Sequence, residues 1–428
     1  MILIPIPKYK IMDRKIALDI LLKYVREKSY LNLTINETFS HLDLSRESKD
    51  FITRVVYGTV QYWLYLEYML EPFINNKTKN FEKTLLLMSL YQHYFMDAIP
   101  DYAIVSESVE LVKKKKGQAT ARFINAVLKQ AFASPRSLDD LDDTKRLSIE
   151  TSHPLWLVKM LVKQYGLEET QKILHASNEV PLRTARVNTL KITRDELIVQ
   201  NDLFEKGQLS EDAVYYKGSH IASTDEFKQG LITIQDESSQ LVARLLDPKP
   251  DDYVLDMCCA PGSKTSHLAI LMQNKGRIDA YDLYEHKVPL VEKQMERLGA
   301  SIVNVKAHDS THLIDLYPEN TFDKILLDAP CSGFGVLARK PEIKYHDSSA
   351  MDEIIQIQAK LLENAYALLK NGGNIVYSTC TINKKENEKQ IDAFLKKYPH
   401  MKKIEEKTIL PYQYHSDGFY MCLLKKES

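Results

Sequence analysis

Two periodicities divide this chain. From Lys15 to about Ala133 apolar residues recur three and four positions apart, in Ala17, Ile20, Leu21, Tyr24 and Val25 and again in Phe51, Val55, Val56 and Val60. That spacing predicts amphipathic helices. Proline is absent between Lys8 and Glu71, and Pro72 and Pro100 fall at expected helix boundaries. A bundle of about five or six helices fits the length. From Tyr253 onward the pattern changes. Short apolar runs recur at Tyr253–Leu255, Arg277–Tyr281, Ile302–Val305, Lys324–Leu327 and Asn374–Tyr377. Helical patterns separate them, over Lys264–Gln273, Lys287–Leu298, Asp352–Leu369 and Lys385–Lys397. Strand and helix in alternation predict a parallel sheet with helices on both faces. A last apolar run, Gly418 to Leu424, is expected at the edge of that sheet, with Cys422 in it as a buried hydrophobe.

Between these regions the pattern is mixed. Pro135 to Thr144 is rich in Ser, Asp and Leu and reads as a linker. A helical pair follows, Pro154–Tyr165 and Glu168–Ser177, then a strand, LRTARVN, over Leu182–Asn188. Arg183, Arg186 and Asn188 on that strand read either as RNA-facing or as solvated. Another helix is expected after Thr193, strands near Ala213–Tyr216 and Leu231–Ile234, and an amphipathic helix within residues 234–248 that starts near Asp236 and Ser238. The expected organisation is a helical domain over 1–138, a small α+β module over 145–235 and an α/β domain over 236–428.

The 428 residues carry a formal net charge of −1, so a polyanionic partner would have to be met by locally placed basic residues. The five cysteines are Cys258, Cys259, Cys331, Cys380 and Cys422. Their number is odd and no C-x-x-C pair exists, which argues against a disulfide framework or zinc ribbon and for a reducing cytoplasm. The start, MILIPIPKYK, is too short and proline-broken for a signal peptide, and no apolar run is long enough for a membrane span.

The candidate chemistry begins at YVLDMCCAPGSK, residues 253–264. A strand, a tight small-residue turn and a helix present backbone N–H groups at the carboxyl edge of a sheet. The turn has one glycine, so the dinucleotide fingerprint is not met. Carboxylates then end or follow four successive strands: Asp256, Asp282, Asp309 and Asp328. At those places a carboxylate accepts hydrogen bonds from ribose hydroxyls or from an adenine amine. An adenosyl group without a pyrophosphate points to S-adenosylmethionine. Cys331, in DAPCSGFG, and Cys380, in VYSTCT, lie just beyond the fourth and fifth strands, where both sulfurs reach one substrate. A thiolate beside this methyl donor suits methylation at pyrimidine C5. Addition of sulfur to C6 makes C5 enamine-like and nucleophilic. A nearby acid must meet N3 or the amino group of the ring, and Asp328 is the candidate.

These motifs carry a resemblance. DMCCAPGSKTSHLA, LLDAPCSGFG, RKPEIKY, VYSTCT followed by ENE, and the terminal DGFY resemble the Sun/Nol1/Nop2 family of RNA cytosine-5 methyltransferases. The front of the chain, through RKIALDILLKYV, LNLTINETF, FITRVVYGTVQYWLYLEYML and ARFINAVLK, resembles the NusB-type RNA-binding helical domain. The resemblance implies a multidomain protein: an all-α NusB-like bundle, an RRM-like α+β middle module and a Rossmann-like methyltransferase domain. It implies Cys380 as nucleophile and Cys331 as the residue of product release. It implies S-adenosylmethionine contacts from Cys258, Cys259, Ala260, Pro261, Gly262, Ser263 and Lys264, and from Asp282, Asp309 and Asp328. It also implies 16S ribosomal RNA as substrate. Cys259 and Ser263 stand where the family has alanine and glycine; both are small, so the backbone path should survive.

Smaller features complete the reading. Arg339, Lys340 and Lys344 around Pro341 and Tyr345 read as a substrate-facing loop, since basic residues beside an aromatic suit a splayed RNA strand. Lys113–Lys116 reads as a phosphate contact or as a helix end suited to the dipole, and Thr120 as the cap of the next helix. Trp63 with Tyr57, Tyr62, Tyr65 and Tyr68 reads as core more than as a stacking surface. His308 and His312 lack a third ligand at metal spacing, and no metal is expected. Asn383 and Glu386–Glu388 are expected to open a helix. A monomer is the default. Competing functions are methylation of another RNA such as tRNA, a DNA cytosine-5 methyltransferase with the cysteine of the P-C motif as nucleophile, and a non-catalytic RNA-binding factor. The DNA reading lacks an ENV-type motif after Cys331, and the binding-factor reading predicts loss of Cys380.

Overall fold

The computed structural model describes residues 11–346 and 350–427. The N-terminal stretch read above for a signal peptide lies outside the described residues. The chain divides into two compact units, one holding the chain to Asn178 together with Lys340–His346, the other holding Glu179–Arg339 and the chain from Asp347 on. Among the described residues no helix is long and apolar enough to cross a membrane.

The first unit is all helical. It contains α1 (Ile11–Glu27), α2 (Leu31–Ser40), α3 (Arg46–Gln61), α4 (Trp63–Leu70), α5 (Asn80–Phe95), α6 (Asp101–Lys116), α7 (Gln118–Ala133), α8 (Asp143–Glu150), α9 (Leu155–Tyr165) and α10 (Leu167–Ala176). Seven helices, rather than five or six, lie between Ile11 and Ala133. Two breaks escape the periodicity. A single residue, Tyr62, parts α3 from α4, and a single glycine, Gly117 at φ +85°, parts α6 from α7. Gly117 therefore precedes α7, and Thr120 is not its cap; the Thr120 hydroxyl donates back to the Lys116 carbonyl at 3.4 Å. Lys113–Lys116 form the last turn of α6. Lys114 pairs with Glu110, and the ammonium groups of Lys115 and Lys116 lie 4.9 and 5.4 Å from the centre of the Phe81 ring. Cations at a helix C-terminus are favoured by the dipole, so the run has a sufficient structural reason. Trp63, Tyr57, Tyr62 and Tyr65 pack half-buried against the bundle core, as expected of a core stripe.

The pair α9–α10 forms where expected and packs within this first compact unit, which runs to Asn178. Gln61 donates its amide to the Ser177 carbonyl at 2.8 Å, Asn178 donates to the Thr151 carbonyl at 2.8 Å, and the Leu64 N–H reaches Ser152 Oγ at 2.9 Å. The turn Pro341–Tyr345 is also part of this unit. Glu342 accepts from the Leu31 N–H, Tyr345 donates to the Val60 carbonyl, and Lys344 donates to the Gln61 carbonyl at 2.7 Å. Lys344 is fully buried, and that burial pushes its ammonium well below the ordinary lysine value. The substrate-facing assignment of Lys344 is thereby corrected: a lysine spaced like a surface contact is an internal donor to a helix C-terminal carbonyl.

The second unit holds two sheets. The small one contains β1 (Thr184–Val187), β2 (Phe204–Lys206), β3 (Ala213–Tyr216) and β4 (Ile232–Ile234) in the order β2-β3-β1-β4, all antiparallel. Helix α11 (Arg194–Gln200) covers it, started by a capping box between Thr193 and Glu196. A short α12 (Asp225–Lys228) precedes β4, and α13 (Glu237–Leu246) follows with Asp236 as its N-cap.

The large sheet contains β5 (Tyr253–Asp256), β6 (Arg277–Asp282), β7 (Val303–Ala307), β8 (Phe322–Asp328), β9 (Leu369–Thr379), β10 (Met401–Ile409) and β11 (Phe419–Lys426). Its helices are α14 (Ser263–Leu271), α15 (Val288–Leu298), α16 (Ala350–Leu368) and α17 (Glu388–Lys397). The order is β10-β11-β9-β8-β5-β6-β7. The stretch from β7 to β9 is parallel, and β11 and β10 are antiparallel. Side chains alternate as a pleat demands. Leu255, Ile325, Leu327, Ile375 and Tyr377 enter one core with Leu361, Leu362 and Phe394. Val254, Leu326 and Val376 enter the other with Val242, Leu268 and Val291. The last apolar strand does not lie at the edge. It is flanked by β10, whose residues Lys402–Lys407 are exposed. A solvated, charged edge strand carries no apolar alternation to read. Cys422 is fully buried, as expected.

Candidate active site

The site is built at the carboxyl ends of β5, β6, β8 and β9. Strand β5 ends at Asp256 and the chain turns. The Cys259 N–H donates to the Tyr281 carbonyl at 2.8 Å, and the Gly262 N–H closes back on the Cys259 carbonyl at 2.7 Å. Gly262 sits at φ +97°, and a Cβ there would lie 2.9 Å from Met295 and 3.0 Å from Val291 of α15. Only glycine fits. It lets α14 begin at once, at Ser263.

Asp256 is buried and accepts from the Thr265 hydroxyl at 2.7 Å. Burial raises its carboxyl to about 7, and the Asp328 charge adds to the rise. The raised value has a consequence for stability. A carboxyl whose folded value lies above its unfolded one stabilises the fold at low pH and loses that contribution as pH climbs to about 7. Asp256→Asn should therefore gain stability relative to the parent between pH 4 and 7, by an amount on the order of 4 kcal/mol at about 1.4 kcal/mol per pH unit. Melting curves across that range check it; a parallel pair of pH profiles would contradict it.

Cys258 and Cys259 flank this carboxylate as thiols. Burial pushes both well up, with Asp256 adding to it, and Cys259 lies in a core. Neither is set up as a nucleophile. Asp282 ends β6 and holds the Tyr284 N–H at 3.1 Å and the Lys287 ammonium at 3.1 Å. Asp309 follows β7 and accepts from the Thr311 N–H at 2.9 Å. Asp328 ends β8. Its Oδ2 accepts from Lys264 Nζ at 2.7 Å and its Oδ1 from Ser378 Oγ at 2.7 Å. Burial works against the Lys264 charge, but Asp328, and then Cys380, raise its value above that of an ordinary lysine.

Cys331 and Cys380 meet, with Sγ–Sγ 3.3 Å. The hydrogen bond to Cys380 pushes the Cys331 thiol well up, and burial and the Glu386 carboxylate push it further. These directions favour the proton on Cys331, with Cys380 as the acceptor. The hydrogen bond and the nearby Lys264 ammonium both favour an anionic sulfur at Cys380.

The two cysteine loops are locked by residues the sequence did not single out for this. Glu386 is fully buried. It accepts from the Ser332 N–H at 2.8 Å, Ser332 Oγ at 2.6 Å, Asn383 Nδ2 at 2.9 Å and Gln358 Nε2 at 3.1 Å. Helix α17 starts only at Glu388, so Asn383 and Glu386 do not open it. They tie the loop after β8 to the loop after β9. A second tie runs through the backbone: Gly335 donates to the Cys380 carbonyl at 3.0 Å and accepts from the Gly418 N–H at 2.8 Å.

Other expected contacts fall differently. Arg339 donates through Nε to both Asp417 oxygens at 2.8 and 2.9 Å and through Nη2 to Asp236 at 2.8 Å. Its guanidinium is committed to internal carboxylates, which corrects its reading as a substrate contact. Lys340 is exposed, 5.9 Å from the centre of the Tyr30 ring. Arg183 is exposed, but Arg186 and Asn188 are buried, so neither reading made for that strand, RNA-facing or solvated, fits them. Among the described residues no group of three His, Cys, Asp or Glu is placed to hold a metal ion.

The donor set fits an adenosyl sulfonium. Carboxylates at successive strand ends offer acceptors for ribose hydroxyls and an exocyclic amine, and a negative field for a sulfonium charge. A family model described as 16S rRNA methyltransferase RsmB/F matches residues 243–425, a NusB family model matches 12–132, and a model described as a Methyltr_RsmF/B-like, ferredoxin-like domain matches 153–210. A probable ribosomal RNA small subunit methyltransferase B of Bacillus subtilis (strain 168) is 41% identical over 97% of this chain and 98% of its own. The crystal structure of PH0851 superposes on 97% of this chain and 99% of its own with TM-score 0.84 at 24% identity. That of a methyltransferase homolog from Pyrococcus horikoshii covers 67% of this chain and 99% of its own with TM-score 0.61 at 29% identity. By full-length identity and domain order alike, the chain belongs to the ribosomal RNA small subunit methyltransferase B family, whose methyl donor is S-adenosylmethionine.

Proposed function

We propose that this protein methylates C5 of a cytosine in 16S ribosomal RNA through a covalent Cys380–C6 adduct. The observation that carries the reading is the Cys331–Cys380 pair at 3.3 Å beside the Lys264–Asp328 ion pair. Cys380 adds to C6 as thiolate. Asp328, held from both sides by Lys264 and Ser378, accepts from the cytosine amino group. The Lys264 ammonium balances the negative charge that the ring gains on addition. S-adenosylmethionine, when bound, supplies the methyl group that C5 takes up. The C5 proton then passes to water, the C5–C6 double bond re-forms, and the C6–S bond breaks. Cys380 leaves as a thiolate that the Cys331 S–H stabilises.

The carboxylates at β5, β6 and β7 and the turn Cys258–Lys264 hold the methyl donor in this reading. The lysine of that turn does more than line it, since its ammonium faces Asp328. A DNA substrate would put the nucleophile at Cys331, whose thiol is pushed well up. A binding factor would have no use for two sulfurs in contact. The test is incubation with unmodified 16S RNA carrying tritium at cytosine C5. Release of tritium to water in step with 5-methylcytosine formation is expected. Methylation with tritium retained moves the reaction to another atom, and no methylation of 16S RNA alongside methylation of tRNA moves the substrate.

A further inference from the structure

Arg186 lies on β1 of the small sheet and is 1% exposed. A buried guanidinium needs partners for its donors. Two of them are on the cofactor turn. Nη1 donates to the Ser263 carbonyl at 2.5 Å and to Gln235 Oε1 at 2.7 Å, and Nη2 donates to Ser266 Oγ at 2.9 Å. Ser266 Oγ in turn donates to the Ser263 carbonyl at 2.9 Å. One side chain of the small module thus grips both ends of the first turn of α14. A second grip lies one residue further on. Asp212, just before β3, accepts from His267 Nε2 at 3.0 Å and from Arg244 Nε at 2.7 Å. Burial lowers His267 to about 3, so the ring is neutral and acts as the N–H donor to Asp212. Between the gripped residues lie Lys264 and Thr265. They reach the other way, to Asp328 at 2.7 Å and to Asp256 at 2.7 Å.

We propose that Arg186 is a positioning residue for the methyl-donor site: it braces the first turn of α14 from behind, so that Lys264 and Thr265 meet Asp328 and Asp256 in register. This rests on the reading of Cys258–Lys264 as the S-adenosylmethionine turn. A guanidinium at the N-terminal turn of a helix opposes the dipole. It is held there by three hydrogen bonds, to Gln235, the Ser263 carbonyl and the Ser266 hydroxyl, and the small module is thereby part of the donor site.

The test uses the full-length protein with S-adenosylhomocysteine in calorimetry and an unmodified 16S fragment in filter binding. Arg186→Met should weaken S-adenosylhomocysteine about tenfold, the scale of one buried turn left with unmet acceptors. RNA affinity should stay within about twofold, since no phosphate contact is lost. Arg186→Lys, which keeps one donor and the charge, should recover to within about threefold of the parent. Ser266→Ala, a milder change in the same grip, covers the case in which Arg186→Met does not fold; it should weaken S-adenosylhomocysteine by about threefold. Unchanged S-adenosylhomocysteine affinity in the folded variants overturns the proposal. So does a loss confined to RNA binding, which would make Arg186 an RNA contact. A parent protein that binds no S-adenosylhomocysteine at all overturns the reading of the turn itself.

Discussion

Cys380→Ala should abolish methyl transfer, by at least about 10⁴-fold, while Cys331→Ala should leave the protein covalently bound to its RNA. The asymmetry follows from the protonation of the pair. At 3.3 Å one sulfur is the donor to the other. The bond to Cys380, burial and Glu386 all hold the proton on Cys331. Cys331 is therefore a poor substitute when Cys380 is removed, because the thiolate and not the thiol adds to a pyrimidine. Removing Cys331 leaves attack possible but takes away the S–H that receives the departing sulfur, and the C6–S bond persists. A band that survives denaturing electrophoresis, dependent on S-adenosylmethionine and RNA together, reads this out. An adduct with Cys380→Ala and none with Cys331→Ala would reverse the roles and point to the mechanism of DNA cytosine-5 methyltransferases.

Much of this centre was legible along the chain because sheets of this kind put function at strand ends. Asp256, Asp282 and Asp328 end the strands they were expected to end, and Asp309 follows β7. The two cysteines follow neighbouring strands, β8 and β9, so their meeting needed only strand order. What escaped has a common cause. Arg186, Lys344 and Glu386 are charged residues inside the protein, and Arg339 is part-buried against two carboxylates. Residue type argues for solvent at each of them, and only tertiary partners reveal otherwise. Arg339 finds Asp236 and Asp417, which are far away in sequence. Lys344 finds a carbonyl at the end of α3. Strand β10 escaped for the opposite reason: being solvated, it carries charge where a buried strand would carry an apolar alternation.

Asp328→Asn should lower the methylation rate constant by roughly 10²–10⁴-fold, the range of a lost acid–base or charge partner. Two roles are open to this carboxylate, one on the cytosine and one on the methyl donor, and the geometry favours the first. Both of its oxygens are already positioned by protein donors, Lys264 on one and Ser378 on the other, and its side chain keeps 28% of its surface open. It is adjacent on β8 to the loop that carries Cys331, and it pairs across to Ser378, two residues before Cys380. A group fixed this way is aimed at what the cysteines hold. Asp328→Asn should therefore leave S-adenosylhomocysteine affinity within about threefold while the rate falls. Lys264→Met should share the defect, because Asp328 and Lys264 act as one unit. The double variant should then be no slower than about the worse of the two singles, whereas independent roles would multiply. A loss of S-adenosylhomocysteine affinity equal to the loss of rate would place Asp328 on the methyl donor instead. The adduct assay separates these outcomes further. In a Cys331→Ala background, Asp328→Asn should slow formation of the covalent band, because addition to C6 is the step in which the ring first carries charge toward the carboxylate and its lysine. A carboxylate serving only the donor would leave the rate of that first bond unchanged at saturating S-adenosylmethionine.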